Sequence, residues 1–89
     1  MDNLTFFEYF EKTYQAICND DVDTIQKIIP EHLGPSRSFP KKYSDICHEN
    51  MPIIIFAMLV NSIKTVNYLI NCGIDINNVF DAILIFFYF

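Results

Sequence analysis

The chain has 89 residues, of which 52% are hydrophobic and 19% charged, so it is long enough for one domain and too apolar for a disordered protein. Its net charge of -5 argues against a dominant role in gripping nucleic-acid phosphates. The three cysteines form no disulfide framework, and the acidic N-terminus lacks the basic region of a secretory signal. We therefore expect a cytoplasmic protein, with the nucleus as the alternative compartment.

Residues 4–30 are predicted to form a first pair of helices. Thr5 and Glu8 have the spacing of a capping box, which indicates a helix start. The buried face predicted for this helix consists of Phe7, Phe10, Tyr14 and Ile17. An Asn-Asp-Asp turn interrupts the pattern, and a second helix follows that Pro30 stops. Helix capping explains the carboxylates of Asp20, Asp21 and Asp23 better than a metal or acid cluster does.

Residues 31–49 are predicted to be a long loop between two helix pairs. The segment contains Gly34, Pro35 and Pro40, which favour turns and extended backbone, with a short turn of helix in residues 43–48. Half of the basic residues of the chain fall in this loop, namely Arg37, Lys41 and Lys42. They are interpreted as part of a solvated surface, the alternative being a patch that docks an acidic partner or a phosphate.

Residues 50–77 are predicted to form a second pair of helices. The apolar run from Ile53 to Val60 gives the first helix, and Asn61-Ser62 is the turn. Ser62 is predicted to cap the following helix, and Gly73 to end it in the left-handed conformation. The face that this last helix is expected to bury consists of Ile63, Val66, Leu69 and Ile70.

The two pairs can be aligned without a gap. Ala16 corresponds to Ala57, 41 residues later (57 minus 16), and Asp20 corresponds to Asn61 at the same offset. The apolar positions of the two second helices correspond as well, which indicates two copies of one helical unit that stack to bury their apolar faces.

Residues 78–89 end in the apolar run AILIFFYF, which is too short for a membrane-spanning helix. At an offset of 33 residues, Leu84 to Phe89 overlie Met51 to Phe56. This register favours the start of a truncated third unit. A capping strand or helix and a membrane-surface anchor are the two alternatives.

The order of these features resembles an ankyrin repeat, whose usual form is TPLHLAAxxGHLEIVxLLLxxGADVN. The second copy carries Ala57, the spacing Ile-x-x-Val-x-x-Leu-Ile, and Gly73-Ile74-Asp75-Ile76-Asn77 in the place of GADVN. The TPLH entry is replaced by Pro52-Ile53-Ile54-Ile55. The resemblance implies an all-α fold in which ankyrin-like helix-turn-helix repeats stack as a short solenoid over residues 1–89, in an array that is short or truncated.

The resemblance to ankyrin repeats also implies a non-enzymatic module that binds another protein. The positions that match the variable contact sites of the family are Leu59 and Val60, with Cys18 as the counterpart in the first copy. Their alternative role is burial against the loop or the next unit. No cofactor, metal or nucleic-acid partner is expected, and self-association through the uncovered C-terminal edge of the array is a further expectation.

Two rival functions come from other classes. The first is a small membrane-associated helical protein anchored by its apolar termini, which liposome flotation would separate from a repeat module. The second is a thiol enzyme that uses Cys47 beside His48, although no second acid or glycine-rich turn accompanies the pair. Because a stable array needs three or more repeats, the isolated chain is predicted to be weakly folded or associated, without a cooperative monomeric melt above about 65 °C.

Overall fold

The computed structural model describes residues 4–75 together with residues 77, 79, 81 and 84. This part of the chain contains four α-helices and no named strand, which confirms the predicted all-α class. The helices are α1 (Phe6–Cys18), α2 (Val22–Ile28), α3 (Ile53–Leu59) and α4 (Ile63–Asn71). We call α1 and α2 the first pair, and α3 and α4 the second pair.

Helix α1 begins at the predicted capping box. The Glu8 amide donates to Thr5 Oγ1 at 3.2 Å, and the Thr5 amide donates to Glu8 Oε1 at 3.2 Å. The buried residues of the helix are Tyr9, Phe10, Thr13, Ala16 and Ile17. The predicted face was wrong in part, because Phe7 is 56% exposed and Tyr14 is half-buried. Phe7 lies about a third of a turn from the centre of the contact face, which accounts for its exposure.

Helix α2 is capped and terminated as its sequence predicts. Asp21 Oδ1 accepts the amide of Thr24 at 3.2 Å, and Asp21 Oδ2 accepts the Thr24 hydroxyl at 2.6 Å. Lys27 lies in the last turn, and the helix ends at Ile28, two residues before Pro30. Ile25 and Ile28 are fully buried, so the short helix is stabilised mainly by its packing.

The segment 31–49 contains no helix or named strand, as predicted for a loop, and Arg37, Lys41 and Lys42 are exposed, but three other side chains of the segment are built into the core. Leu33, Phe39 and Cys47 are 0 to 1% exposed. The backbone at Phe39 pairs with the chain entering α3, since the Phe39 amide donates to the Met51 carbonyl and the Asn50 amide to the Phe39 carbonyl, both at 2.8 Å. Residues 43–48 contain no helical turn; the Ser44 hydroxyl accepts the Cys47 amide at 3.0 Å instead.

Aromatic rings anchor this connecting segment between the two pairs. The ring of Phe39 lies 5.8 Å from that of Phe10 in α1 and 5.6 Å from that of Phe56 in α3. Tyr14 stacks on Phe56 at 5.4 Å and on Tyr43 at 5.3 Å. Contacts of this kind stabilise beyond the area that they bury. The extra residues between the pairs therefore supply part of the interface between them.

The turn between the two helices of the second pair has the same backbone hydrogen bond as the turn of the first pair. The amides of Asp21 and Ser62 donate to the carbonyls of Ala16 and Ala57 respectively, each at 2.8 Å. The turn residues Asp20 and Asn61 both have positive φ angles, of 48° and 59°. The first helix of each pair ends at Cys18 or Leu59, and these residues are 41 positions apart (59 minus 18). The second helix of each pair begins at Val22 or Ile63, which are also 41 positions apart (63 minus 22). The internal duplication is therefore present in the backbone.

The two pairs pack with α1 against α3 and α2 against α4. The hydroxyl of Tyr68 in α4 donates to the carbonyl of Ile29 at 2.6 Å, which ties the second pair to the end of α2. Helix α4 ends as predicted, with Gly73 at φ 88°. In the region 78–89, predicted as a truncated third unit or a cap, Val79 is buried and Leu84 is 52% exposed. The rest of that prediction lies outside the described residues.

Candidate functional site

The predicted partner-binding residues lie at the end of α3. Leu59 is the last residue of the helix and is 44% exposed. Val60 follows as the C-cap; it is half-buried and packs against the core. Cys18 occupies the equivalent place at the end of α1 and is exposed. The apolar surface offered at this site therefore comes mainly from Leu59.

A larger apolar surface runs along α4. We define the α4 edge as the surface that consists of Met58, Asn61, Ile63, Val66, Asn67 and Ile70. Met58 is 48%, Ile63 57% and Ile70 42% exposed. A shallow groove of about 240 Å³ lies between the first five of these residues. The prediction that α4 buries Ile63 and Ile70 was therefore wrong, while Leu69 is buried as predicted.

Helical geometry explains which residues of α4 are covered. Thr65 and Leu69 are fully buried and stand one turn apart, so they mark the face that packs against the rest of the chain. Ile63 and Ile70 stand two turns apart on a different face, with Val66 between them. The apolar pattern on α4 is wider than a single packing face, which accounts for the exposed stripe.

The N-terminus of α4 is capped from the first pair. Asp20 Oδ1 accepts the Thr65 amide at 3.0 Å, and Asp20 Oδ2 accepts the Lys64 amide at 3.2 Å. These are the second and third amides of α4, which an N-cap side chain ordinarily satisfies. Asp20 Oδ1 also accepts the hydroxyls of Ser62 at 2.8 Å and Thr65 at 3.1 Å.

The predicted capping role of Ser62 was wrong for this reason. Ser62 does occupy the N-cap position, but its hydroxyl donates to Asp20 and makes no cap hydrogen bond, because the Lys64 and Thr65 amides donate to the Asp20 carboxylate instead. Burial of the Asp20 carboxylate raises its pKa, but the hydrogen bonds from Ser62, Thr65 and Lys64 outweigh burial and leave the pKa below its ordinary value. All of these bonds stabilise the ionised carboxylate, so Asp20 joins the two pairs electrostatically.

The adjacent pair Cys47-His48 does not have the geometry of a thiol nucleophile. The Cys47 side chain is fully buried, whereas His48 is exposed. Burial raises the pKa of the Cys47 thiol to about 12, and the nearby Cys18 contributes to the rise. A reactive cysteine needs a lowered pKa and access to its substrate. Cys18, Cys47 and Cys72 are all free thiols.

The basic residues of the connecting segment each have a partner within the chain. The Arg37 guanidinium lies 5.5 Å from the centre of the Phe6 ring, and Lys41 Nζ lies 5.2 Å from the centre of the Tyr43 ring. Lys42 pairs with the exposed Asp45 at 3.3 Å. These contacts place Arg37 and Lys41 over aromatic rings and Lys42 beside a carboxylate.

No group of three or more His, Cys, Asp or Glu in the described part of the chain is arranged to hold a metal ion. Within the same residues, no helix combines the length and the apolar character needed to cross a membrane.

Comparison of the chain with protein-family models, with curated proteins and with solved structures gave no significant match. The features of the site are therefore interpreted from the residues themselves. A helix-capping role was predicted for Asp20, but sequence reasoning missed that the helix it caps is α4 of the second pair. The α4 edge had a clearer signal, because the apolar face of a repeat stays exposed wherever no neighbouring repeat packs on it.

Proposed function

We propose that the chain is a non-enzymatic protein-interaction module of ankyrin-repeat type. The repetition of the helix-turn-helix unit supports this proposal, since its turn hydrogen bonds and helix boundaries recur at one offset. The buried Ala16 and Ala57 support it further, because they occupy the same place in each first helix. The left-handed Gly73 at the end of α4 fits the glycine of the GADVN pattern.

The single observation that carries the proposed function is the exposed Leu59 at the end of α3. Leu59 lies beside a turn and is 44% exposed, so part of its side chain can contact a partner. The ankyrin family binds its partners through the inner helices and turns. We propose that the partner is a protein, because an exposed apolar side chain at a helix end fits a protein surface better than it fits a small molecule, which binds in a concave pocket. Val60 is assigned a supporting role, since it is half-buried.

The test compares Leu59→Ser with a matched control. Ile46→Ser removes an apolar residue of similar exposure, 50%, from the connecting segment. The purified chain is used to capture partners from cells, and the binding of each purified partner is then measured by calorimetry. Leu59→Ser is expected to weaken the binding of the true partner by about 3 to 9-fold, which corresponds to about 0.7–1.3 kcal/mol for burying the 44% of the leucine that is still exposed.

The control variant Ile46→Ser should bind the partner as the unaltered chain does. Equal affinities of the two variants for every captured protein would remove Leu59 from the site and would overturn the proposal.

A further inference from the structure

The α4 edge is an apolar surface for which the structure provides no cover. Two of the equivalent positions of the first pair are withdrawn from solvent. Ile17 is 1% exposed where Met58 is 48% exposed, and Ile29 is fully buried where Ile70 is 42% exposed. The same kind of surface is therefore covered in one copy and open in the other.

The charge of the α4 edge favours contact with a second copy of the same chain. None of its six residues is charged, although the whole chain carries a net charge of -5. Two copies of an acidic protein repel one another over most of their surfaces, and least where a surface is neutral. The polar side chains of the edge are the amides Asn61 and Asn67. An amide both donates and accepts hydrogen bonds, so it can pair with its own symmetry mate.

The spacing of the apolar residues along α4 lets the helix pack against a second copy of itself. Ile63 and Ile70 stand at i and i+7, and Val66 and Asn67 lie midway between them. When two such helices pack antiparallel about a two-fold axis, Ile63 of one copy faces Ile70 of the other, and the midway residues meet at the axis. An isologous contact of this kind uses the same patch on both copies.

We propose that the α4 edge is a self-association surface, through which two copies of the chain form a dimer with antiparallel α4 helices. The dimer is small, because six central residues fall well short of the roughly 20–30 per side of a standard interface. We expect a dissociation constant of about 10–100 µM, in the range of weak and transient contacts. This surface is distinct from the predicted Leu59 site, and the proposal does not depend on the function assigned to that site.

The test is sedimentation of the purified full-length chain alone. The unaltered chain is expected to change from monomer to dimer over about 1–500 µM, a range that brackets the expected dissociation constant. Ile63→Glu and Ile70→Lys should each weaken dimerisation more than 10-fold, since each places two charges against apolar partners. Ile46→Glu, at an equally exposed apolar position outside the edge, should leave dimerisation unchanged. Circular dichroism of each variant is the control that its helices are kept.

Mixing the two variants tests the antiparallel register directly. In the mixed dimer the new glutamate at position 63 faces the new lysine at position 70, while the other Ile63 and Ile70 still meet. Equimolar Ile63→Glu and Ile70→Lys are therefore expected to form a heterodimer that neither variant forms with itself. A monomer at every concentration would overturn the proposal, whether another protein or residues 85–89 of the same chain then cover the edge. Loss of association by Ile46→Glu, or no rescue on mixing, would overturn it as well.

Discussion

The edges of the first and second pairs occupy equivalent positions in two copies of one unit, but only the first edge is covered. The first pair meets the second through α2 and α4, with the Tyr68 hydroxyl on the Ile29 carbonyl, and its residues Ile17, Ile25 and Ile29 are buried. The second pair has no helix pair beyond it in the described part of the chain. Residues of similar character then contribute to stability in one copy and remain available for binding in the other.

The two turns differ in the same way. Asp20 and Asn61 share a left-handed backbone, but the Asp20 side chain accepts four hydrogen bonds from the second pair. Asn61 makes no side-chain hydrogen bond within the described residues and is exposed. Each copy therefore has a residue with a capping oxygen at this turn, and within the described residues only Asp20 caps a helix of the other pair. The stacking of repeats therefore determines which polar groups are satisfied as well as which apolar groups are buried.

The largest expected difference concerns the apolar positions. Ile17→Ala should lower the free energy of unfolding by about 2–5 kcal/mol, because it removes a buried side chain and leaves a cavity. Met58→Ala, at the equivalent position of the second copy, should lower it by less than about 1 kcal/mol, since Met58 is already 48% exposed. Urea denaturation at low protein concentration measures both values without a contribution from association. Similar losses in the two variants would contradict the view that only the first edge is covered.

Much of the fold follows from signals that lie close together in sequence. The capping box at Thr5, the helix stop before Pro30 and the left-handed Gly73 each depend on a few neighbouring residues, and each is confirmed. The offset of 41 residues could be predicted as well, because the repeated pattern is independent of how the copies pack.

The features that sequence reasoning missed depend on contacts between distant residues. The serine at position 62 fits a cap by its type, but the carboxylate that displaces it comes from residue 20, and spacing alone does not place the two together. Phe39 lies among turn-forming residues, and only the packing of α1 against α3 provides the space that buries its ring. The exposure of Ile63 was missed because periodicity shows which residues share a face without showing what covers it.

The second expected difference concerns the turn residues. Asp20→Ala should lower the free energy of unfolding by about 2–4 kcal/mol, since it removes the cap of α4, leaves the buried hydroxyls of Ser62 and Thr65 without their acceptor and strains the left-handed backbone. Asn61→Ala should lower it by only about 1 kcal/mol, because it imposes the same backbone cost without breaking a cap. Thermal and urea unfolding of the two variants give this difference. A loss in Asp20→Ala no larger than that in Asn61→Ala would show that the cap between the pairs adds nothing to stability.

The smallest expected effect is the pH dependence that the Asp20 cap gives to the folded chain. Its folded pKa lies below the ordinary value near 3.8, so the stabilising contribution is complete at neutral pH and is lost as the pH falls through the folded pKa. Asp20→Asn is expected to flatten the decline in stability below about pH 4, because it removes a group that must bind a proton on unfolding. The pKa of Asp21 is also lowered, by its bonds to Thr24, so the double variant with Asp21→Asn should be flatter still.

Thermal unfolding of the single and double variants between about pH 2.5 and 7 measures these slopes, since the range spans the ordinary carboxyl pKa and neutrality. If Asp20→Asn kept the full acid-dependent decline of the unaltered chain, the carboxylate would not be the charged link between the two pairs. The stability of their contact would then have to come from the aromatic rings, the Tyr68–Ile29 hydrogen bond and the buried apolar side chains.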